Sequence, residues 1–229
     1  MKIGEVVNQD FKSWKGKTSM VLSVLGCNMH CPFCNTPDLV KQQKPEKAWE
    51  KEFKRVKNTL NGVIITGGEP LTQNHISIFC KKLKLKGLKI RIETNGTKPD
   101  LLESLINKKI VDSVALDLKA PLEKYPEVTK SNVDTEKIKQ SMNILRKSRI
   151  EYEIRTTWSP DLKQEDILET ASQCPGTTWV LQQFIPGNCL NPEYNTKEKT
   201  PYELLKETAK KAEGPKEVRI KSEKGEEVI

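Results

Sequence analysis

The chain has 229 residues, 39 Lys+Arg against 31 Asp+Glu, a net charge of +8, and 35% hydrophobic content. That length is enough to bury a core within one domain, expected to run over 1–229. No apolar run approaches the roughly 20 residues of a membrane span. The N-terminus "MKIGEVVNQDFKSWKGK" has no apolar signal core, so a cytoplasmic protein is expected.

The excess lysine is spread through 81–89, 107–109 and 206–216 rather than interleaved with aromatics. It reads as a solvated basic surface, which weighs against a nucleic-acid platform.

Short apolar runs alternate with polar helical stretches along the chain. Strands are predicted at 19–26, 62–68, 88–96, 111–119, 150–158 and 177–184. Helices are predicted at 46–60, 73–86, 99–108, 134–148 and 164–172, with Thr72 and Asn74 before the second and Asp134 before the fourth as helix-opening residues. A last helix at 201–212 and a short strand near 217–221 complete the pattern. Near-continuous apolar strands between helices indicate an α/β fold with a parallel sheet. Six such units are too few for a closed eight-unit barrel. The expectation is an open partial (β/α)6, TIM-like barrel.

In such sheets working residues collect where strands end. "LGCNMHCPFC" (25–34) follows the first predicted strand and carries Cys27, Cys31 and Cys34. "GGEP" (67–70), "ETNG" (93–96), "DLK" (117–119), "TTW" (156–158) and "QQF" (182–184) follow the others. Thiolates are soft ligands for iron–sulfur clusters, zinc or copper(I). A structural zinc site wants a fourth Cys or His, and His30 lies inside the loop, poorly placed to supply it. A [4Fe–4S] cube on three cysteines leaves one iron open to a small-molecule chelator, and this reading is favoured over zinc. Cys80, Cys174 and Cys189 lie far apart and read as buried small hydrophobes.

The Cys-x3-Cys-x2-Cys spacing, with Phe33 before the last cysteine, resembles that of radical S-adenosylmethionine enzymes. "ITGGEP" (65–70) resembles the family's GGE motif. The resemblance implies a radical SAM core with one [4Fe–4S] cluster on Cys27, Cys31 and Cys34, and S-adenosyl-L-methionine beside it. It implies that Phe33, Gly67, Gly68 and Glu69 border the methionine moiety. Gly67 and Gly68 are expected to let the main chain approach the ligand without a Cβ in the way. Asp117 and Lys119 are implied near the cofactor's ribose and carboxylate. Thr94, with Glu93, is implied at a cation site, against the plainer reading of a hydrogen-bonded strand-end carboxylate. Arg155 has two readings, a cofactor carboxylate or an interstrand ion pair. Only one of Gln182 and Gln183 is expected to face the mouth, and Trp158 is placed near it.

Further stretches, 26–40, 92–102, 111–125, 152–167 and 179–192, resemble the activating enzymes of glycyl-radical proteins. The likeness is greatest to the activating family of anaerobic ribonucleoside-triphosphate reductase. The chain departs from relatives in having Asn35-Thr36 after the last cysteine and no Pro-Gly in 11–17. The implied function is reductive cleavage of S-adenosylmethionine to a 5′-deoxyadenosyl radical, which generates a glycyl radical on a partner enzyme. The implied electron donor is of flavodoxin or ferredoxin type. Two alternatives stand beside this: a radical enzyme acting on a small molecule or nucleoside, of the carboxydeazaguanine synthase kind, and a non-enzymatic iron–sulfur or zinc module.

Overall fold

The computed structural model describes residues 1–229. In chain order the elements are β1 (Ile3–Asp10), β2 (Ser19–Val24), α1 (Pro37–Val40), α2 (Trp49–Val56), β3 (Gly62–Gly67), α3 (Ile76–Lys84), β4 (Lys89–Thr94) and α4 (Pro99–Asn107). They continue as β5 (Ser113–Asp117), α5 (Tyr125–Thr129), α6 (Thr135–Lys147), β6 (Glu151–Trp158), α7 (Gln164–Ser172), β7 (Thr178–Gln183), α8 (Tyr202–Lys211), β8 (Glu217–Ser222) and β9 (Gly225–Val228). All nine strands form one sheet in sequence order, and its two ends do not pair, so the barrel is open.

β2 to β7 are the six expected parallel strands. The most apolar runs are covered by helices on one face and line the barrel with the other, so that Val63, Ile64 and Ile65 of β3 are all buried. β6, "EYEIRTTW", instead alternates buried and half-buried residues over its second half. The helices show the matching period. Ile76, Cys80 and Leu83 of α3 and Ile138, Ser141 and Leu145 of α6 are buried at helical spacing. Asp134 caps α6 by accepting from the Glu136 N–H at 3.2 Å.

Three strands extend this core. β1 pairs antiparallel with β2, although "IGEVVNQD" carries too little alternation to read as a strand. β8, the short strand expected near 217–221, is a seventh parallel strand beside β7. β9 returns antiparallel to β8 through a two-residue turn at Glu223–Lys224. The helix expected at 46–60 is shorter, because α2 ends at Val56 and a single 3-10 turn follows. No helix is long and apolar enough to cross a membrane.

Candidate active site

Alternation along the strands turns one row of side chains from each toward the barrel interior. The rows end in a cavity of about 360 Å³ at the C-terminal ends of the parallel strands. The three loop cysteines, Phe33, the Gly67–Glu69 segment, Glu93, Thr94, Asp117, Lys119 and Arg155 all line it. Gln182 faces it, whereas Gln183 turns away and donates to the Thr200 carbonyl at 2.7 Å. Trp158 does not face it, contrary to expectation. Its neighbour Thr157 takes the inward position, and the buried Trp158 indole donates to the Leu162 carbonyl at 2.9 Å.

The cysteine loop has no regular structure of its own, so neighbours set its shape. The Asn28 amide donates to Thr97 Oγ1 at 2.8 Å and accepts from Asn95 Nδ2 at 2.9 Å, tying the loop to the β4–α4 connection. The His30 N–H donates to Ser131 Oγ at 2.8 Å. On the far side, the Leu190 N–H donates to the Cys34 carbonyl at 2.8 Å and the Asn191 N–H to the Pro32 carbonyl at 3.0 Å. None of these anchors was marked by the sequence motifs. The only available signal was a polar "ETNGT" run after a strand.

The two glycines, which line the cavity, also meet a need inside the protein that the sequence expectation did not include. A Cβ on Gly68 would lie 1.9 Å from the Gly26 carbonyl oxygen, and one on Gly67 would lie 2.5 Å from the Val24 nitrogen. Both are protein backbone, not open ligand space. Gly67 also has φ of +107°, where a side chain is strained. The glycines let the end of β3 press against the start of the cysteine loop, where the Gly68 N–H donates to the Val24 carbonyl at 3.0 Å and the Glu69 N–H to the Gly26 carbonyl at 2.9 Å.

The Glu69 carboxylate is likewise engaged inside the protein. It accepts from Leu71 N at 2.9 Å, Thr94 Oγ1 at 2.7 Å and Asn95 N at 2.7 Å. Burial pushes its pKa up to about 7 against the pull of those donors. Thr94 is therefore a strut between two strand ends.

Four charged side chains form a chain across the floor. The Arg155 Nε donates to Asp117 Oδ1 at 2.9 Å and its Nη1 to Glu93 Oε1 at 2.7 Å. The Lys119 ammonium sits 2.9 Å from Asp117 Oδ2. Arg155 thus takes the interstrand ion pair, and Glu93 is the bonded strand-end carboxylate, with Thr66 Oγ1 donating to it at 2.8 Å. Burial alone would raise Asp117, but Arg155 and Lys119 outweigh it and hold the carboxyl well below the usual range. Burial alone would lower Lys119, and Asp117 reverses the sign, so it stays protonated. Tyr125, fully buried and not foreseen, accepts from the Lys119 N–H at 2.9 Å and donates to the Asp117 carbonyl at 3.2 Å. It sets the turn that aims Lys119.

The sequence profile of the Radical SAM superfamily matches residues 21–174, from β2 through α7. The chain belongs to the radical SAM superfamily. A Methanocaldococcus jannaschii protein provisionally named a glycyl-radical enzyme activating enzyme is 31% identical over 84% of this chain and 83% of its own length. The 7-carboxy-7-deazaguanine synthase of Synechocystis is 33% identical over 38% of this chain and 42% of its own. Among solved structures, TYW1 with a lysine–pyruvate adduct superposes with a TM-score of 0.62 at 16% identity, over 90% of this chain and 77% of that one. Streptococcus suis SuiB bound to S-adenosylmethionine gives 0.63 at 17%, over 89% and 51%. At such identities these two show the shared radical SAM fold.

The radical SAM family implies a [4Fe–4S] cluster and S-adenosylmethionine, and the donor set in the cavity fits them. Three thiols on one loop face the same space. No three His, Cys, Asp or Glu side chains stand close enough to hold a single metal ion. A cube attaches each thiolate to a different iron, so its ligands need not converge on one point. Burial pushes the Cys27 thiol up to about 12 and Cys31 up to about 11, Lys119 opposing the latter, so metal binding must displace protons. Cys80, Cys174 and Cys189 are buried, and none of them lines this cavity.

Proposed function

We propose that this chain is a glycyl-radical activating enzyme. Cys27, Cys31 and Cys34 would hold the cluster, and Asp117, Lys119 and the Gly67–Glu69 segment would border S-adenosylmethionine. Bound together, these groups supply one-electron reductive cleavage of a carbon–sulfur bond and hence hydrogen abstraction, chemistry that belongs to the cofactor. The chain's own work is placement. The Asn28–Asn95–Thr97 ring and the 188–191 segment hold the thiols at one wall. The Arg155–Asp117–Lys119 chain keeps a fixed, charged floor opposite them. Apolar Phe33 and Met29 on the same wall limit water. No side chain is required as general acid or base.

The observation that carries this reading is the extent of the likeness. It covers 84% of the chain for the activating-enzyme relative, against 38% for the Synechocystis carboxydeazaguanine synthase. The partner is an enzyme carrying the target glycine, with anaerobic ribonucleotide reductase the first candidate, and the electron donor is of flavodoxin or ferredoxin type. The setting is the cytoplasm, where six free cysteines stay reduced. The partial likeness to carboxydeazaguanine synthases sustains one second reading, a small-molecule substrate in the same cavity.

The test is anaerobic mixing of the reconstituted protein with reductant, S-adenosylmethionine and the candidate reductase, followed by paramagnetic resonance. A glycyl-radical signal that needs both proteins and vanishes when the partner's glycine becomes alanine is expected. Hydrogen taken from a small molecule, with no reductase activated, refutes the proposal in favour of the second reading.

A further inference from the structure

Six charged side chains line the cavity: Glu69, Glu93, Asp117, Lys119, Arg155 and Lys221. Five are matched inside the protein. Glu69 has its three donors, and Arg155 and Lys119 are bonded to Glu93 and Asp117. Lys221, from β8, makes no ion pair and no side-chain hydrogen bond. The carboxylate opposite it on β9, Glu226, is engaged instead by Arg219 at 3.5 Å.

The residue beside Lys221 is also a free donor. β7 and β8 pair in parallel with Gln182 directly next to Lys221, so the two side chains rise from neighbouring strands about 4.8 Å apart. The only side-chain partner of Gln182 is Thr157 Oγ1, 3.5 Å from its carbonyl oxygen, which leaves the amide N–H groups unused. An ammonium and an amide NH2 side by side suit the two oxygens of one carboxylate. Phe184 and Ile185 border the same side of the cavity, and Ile185 is 45% exposed, so an aliphatic stem has a surface to lie on. Both donors lie outside residues 21–174, the part matched by the superfamily profile.

We infer that Lys221 and Gln182 form a substrate-recognition pair that binds a carboxylate on an aliphatic stem, namely a glutamate or aspartate side chain close to the target glycine of the partner. This rests on the activating-enzyme reading, and it names an acidic peptide segment as the substrate class.

The test uses the cluster-loaded protein and two synthetic peptides with a central dideuterated glycine flanked by glutamate in one and glutamine in the other, with a third, lysine-flanked peptide for the charge-reversed variant. Affinity is read by fluorescence anisotropy at low salt with S-adenosylmethionine present. The glutamate peptide is expected to bind about fivefold tighter. Lys221→Gln should bring the two affinities within twofold, and Lys221→Glu should prefer a lysine-flanked peptide, while affinity for S-adenosylmethionine itself stays within twofold. Equal or undetectable binding of both peptides to the wild type, a preference that survives in Lys221→Gln, or a matching loss of S-adenosylmethionine affinity overturns the assignment. When a chemical reductant is added anaerobically to the same mixtures, deuterium appearing in 5′-deoxyadenosine from both peptides equally leaves the activating-enzyme reading standing without Lys221. A glutamate preference with no deuterium transfer supports the Lys221 site and refutes the glycine target.

Discussion

Gly68→Ala should damage the site through backbone contact rather than through the ligand. The added methyl would meet the Gly26 carbonyl oxygen at 1.9 Å and its carbon at 2.5 Å, and neither can swing away as a side-chain tip would. Relief requires the end of β3 and the start of the cysteine loop to part by about 1 Å. That separation breaks two backbone hydrogen bonds, Gly68 N–H to Val24 and Glu69 N–H to Gly26. Each orphaned buried donor costs about 1–3 kcal/mol, and residual overpacking adds about 1–3 kcal/mol. The total is about 3–9 kcal/mol, which in a chain of this size lowers the melting temperature by roughly 6–36 °C. Gly87→Ala is the control: Gly87 has φ of +82° with nothing within 4 Å of its Cβ, so it suffers only the left-handed penalty of about 1–2 kcal/mol. The assay is thermal unfolding of both variants and the wild type without iron, followed by iron content after anaerobic reconstitution. If Gly68→Ala melts no lower than Gly87→Ala and takes up iron normally, the contact between these loops is not what the glycine serves.

Replacing Cys27, Cys31 or Cys34 with alanine should abolish retention of a cluster of about four irons. The same change at Cys80, Cys174 or Cys189 should leave iron content near wild type, as measured by colorimetric iron assay on anaerobically prepared protein. Arg155→Met removes the nearest cation from Glu93 and leaves Asp117 with Lys119 alone, and should cost about 3–5 kcal/mol. Because Asp117 is held low in the folded protein, its stabilisation is present above the ordinary aspartate range and lost as pH falls through the folded value. The variant raises that value, so its acid unfolding, followed by circular dichroism, should begin at higher pH than wild type. The same onset in both proteins would show that Arg155 does not hold Asp117. Tyr125→Phe leaves the half-buried Lys119 N–H without its acceptor and should cost about 1–3 kcal/mol in chemical denaturation. An unchanged unfolding midpoint would argue against that anchor.

The alternation from β2 to β7 was legible in the residues because a strand buried on both faces must be apolar almost throughout, as in "GVIIT". The cysteine loop was legible because its ligands are local, eight residues from first to last. β1 and β9 were not, since an edge strand with polar neighbours is held by register with its partner rather than by its own pattern. The same divide runs through the site. Spacing marked Gly68, Glu69 and Arg155 as notable, but their partners lie far off in sequence: Arg155 reaches Glu93 across 62 residues, and Asn28 reaches Thr97 across 69. Nothing local distinguishes an arginine that meets a ligand from one that joins two strands. Only folding brings Gly26 against Gly68, and only the β7–β8 register sets Gln182 beside Lys221. Residue type and spacing specify which atoms can bond, and long-range register decides which of them meet.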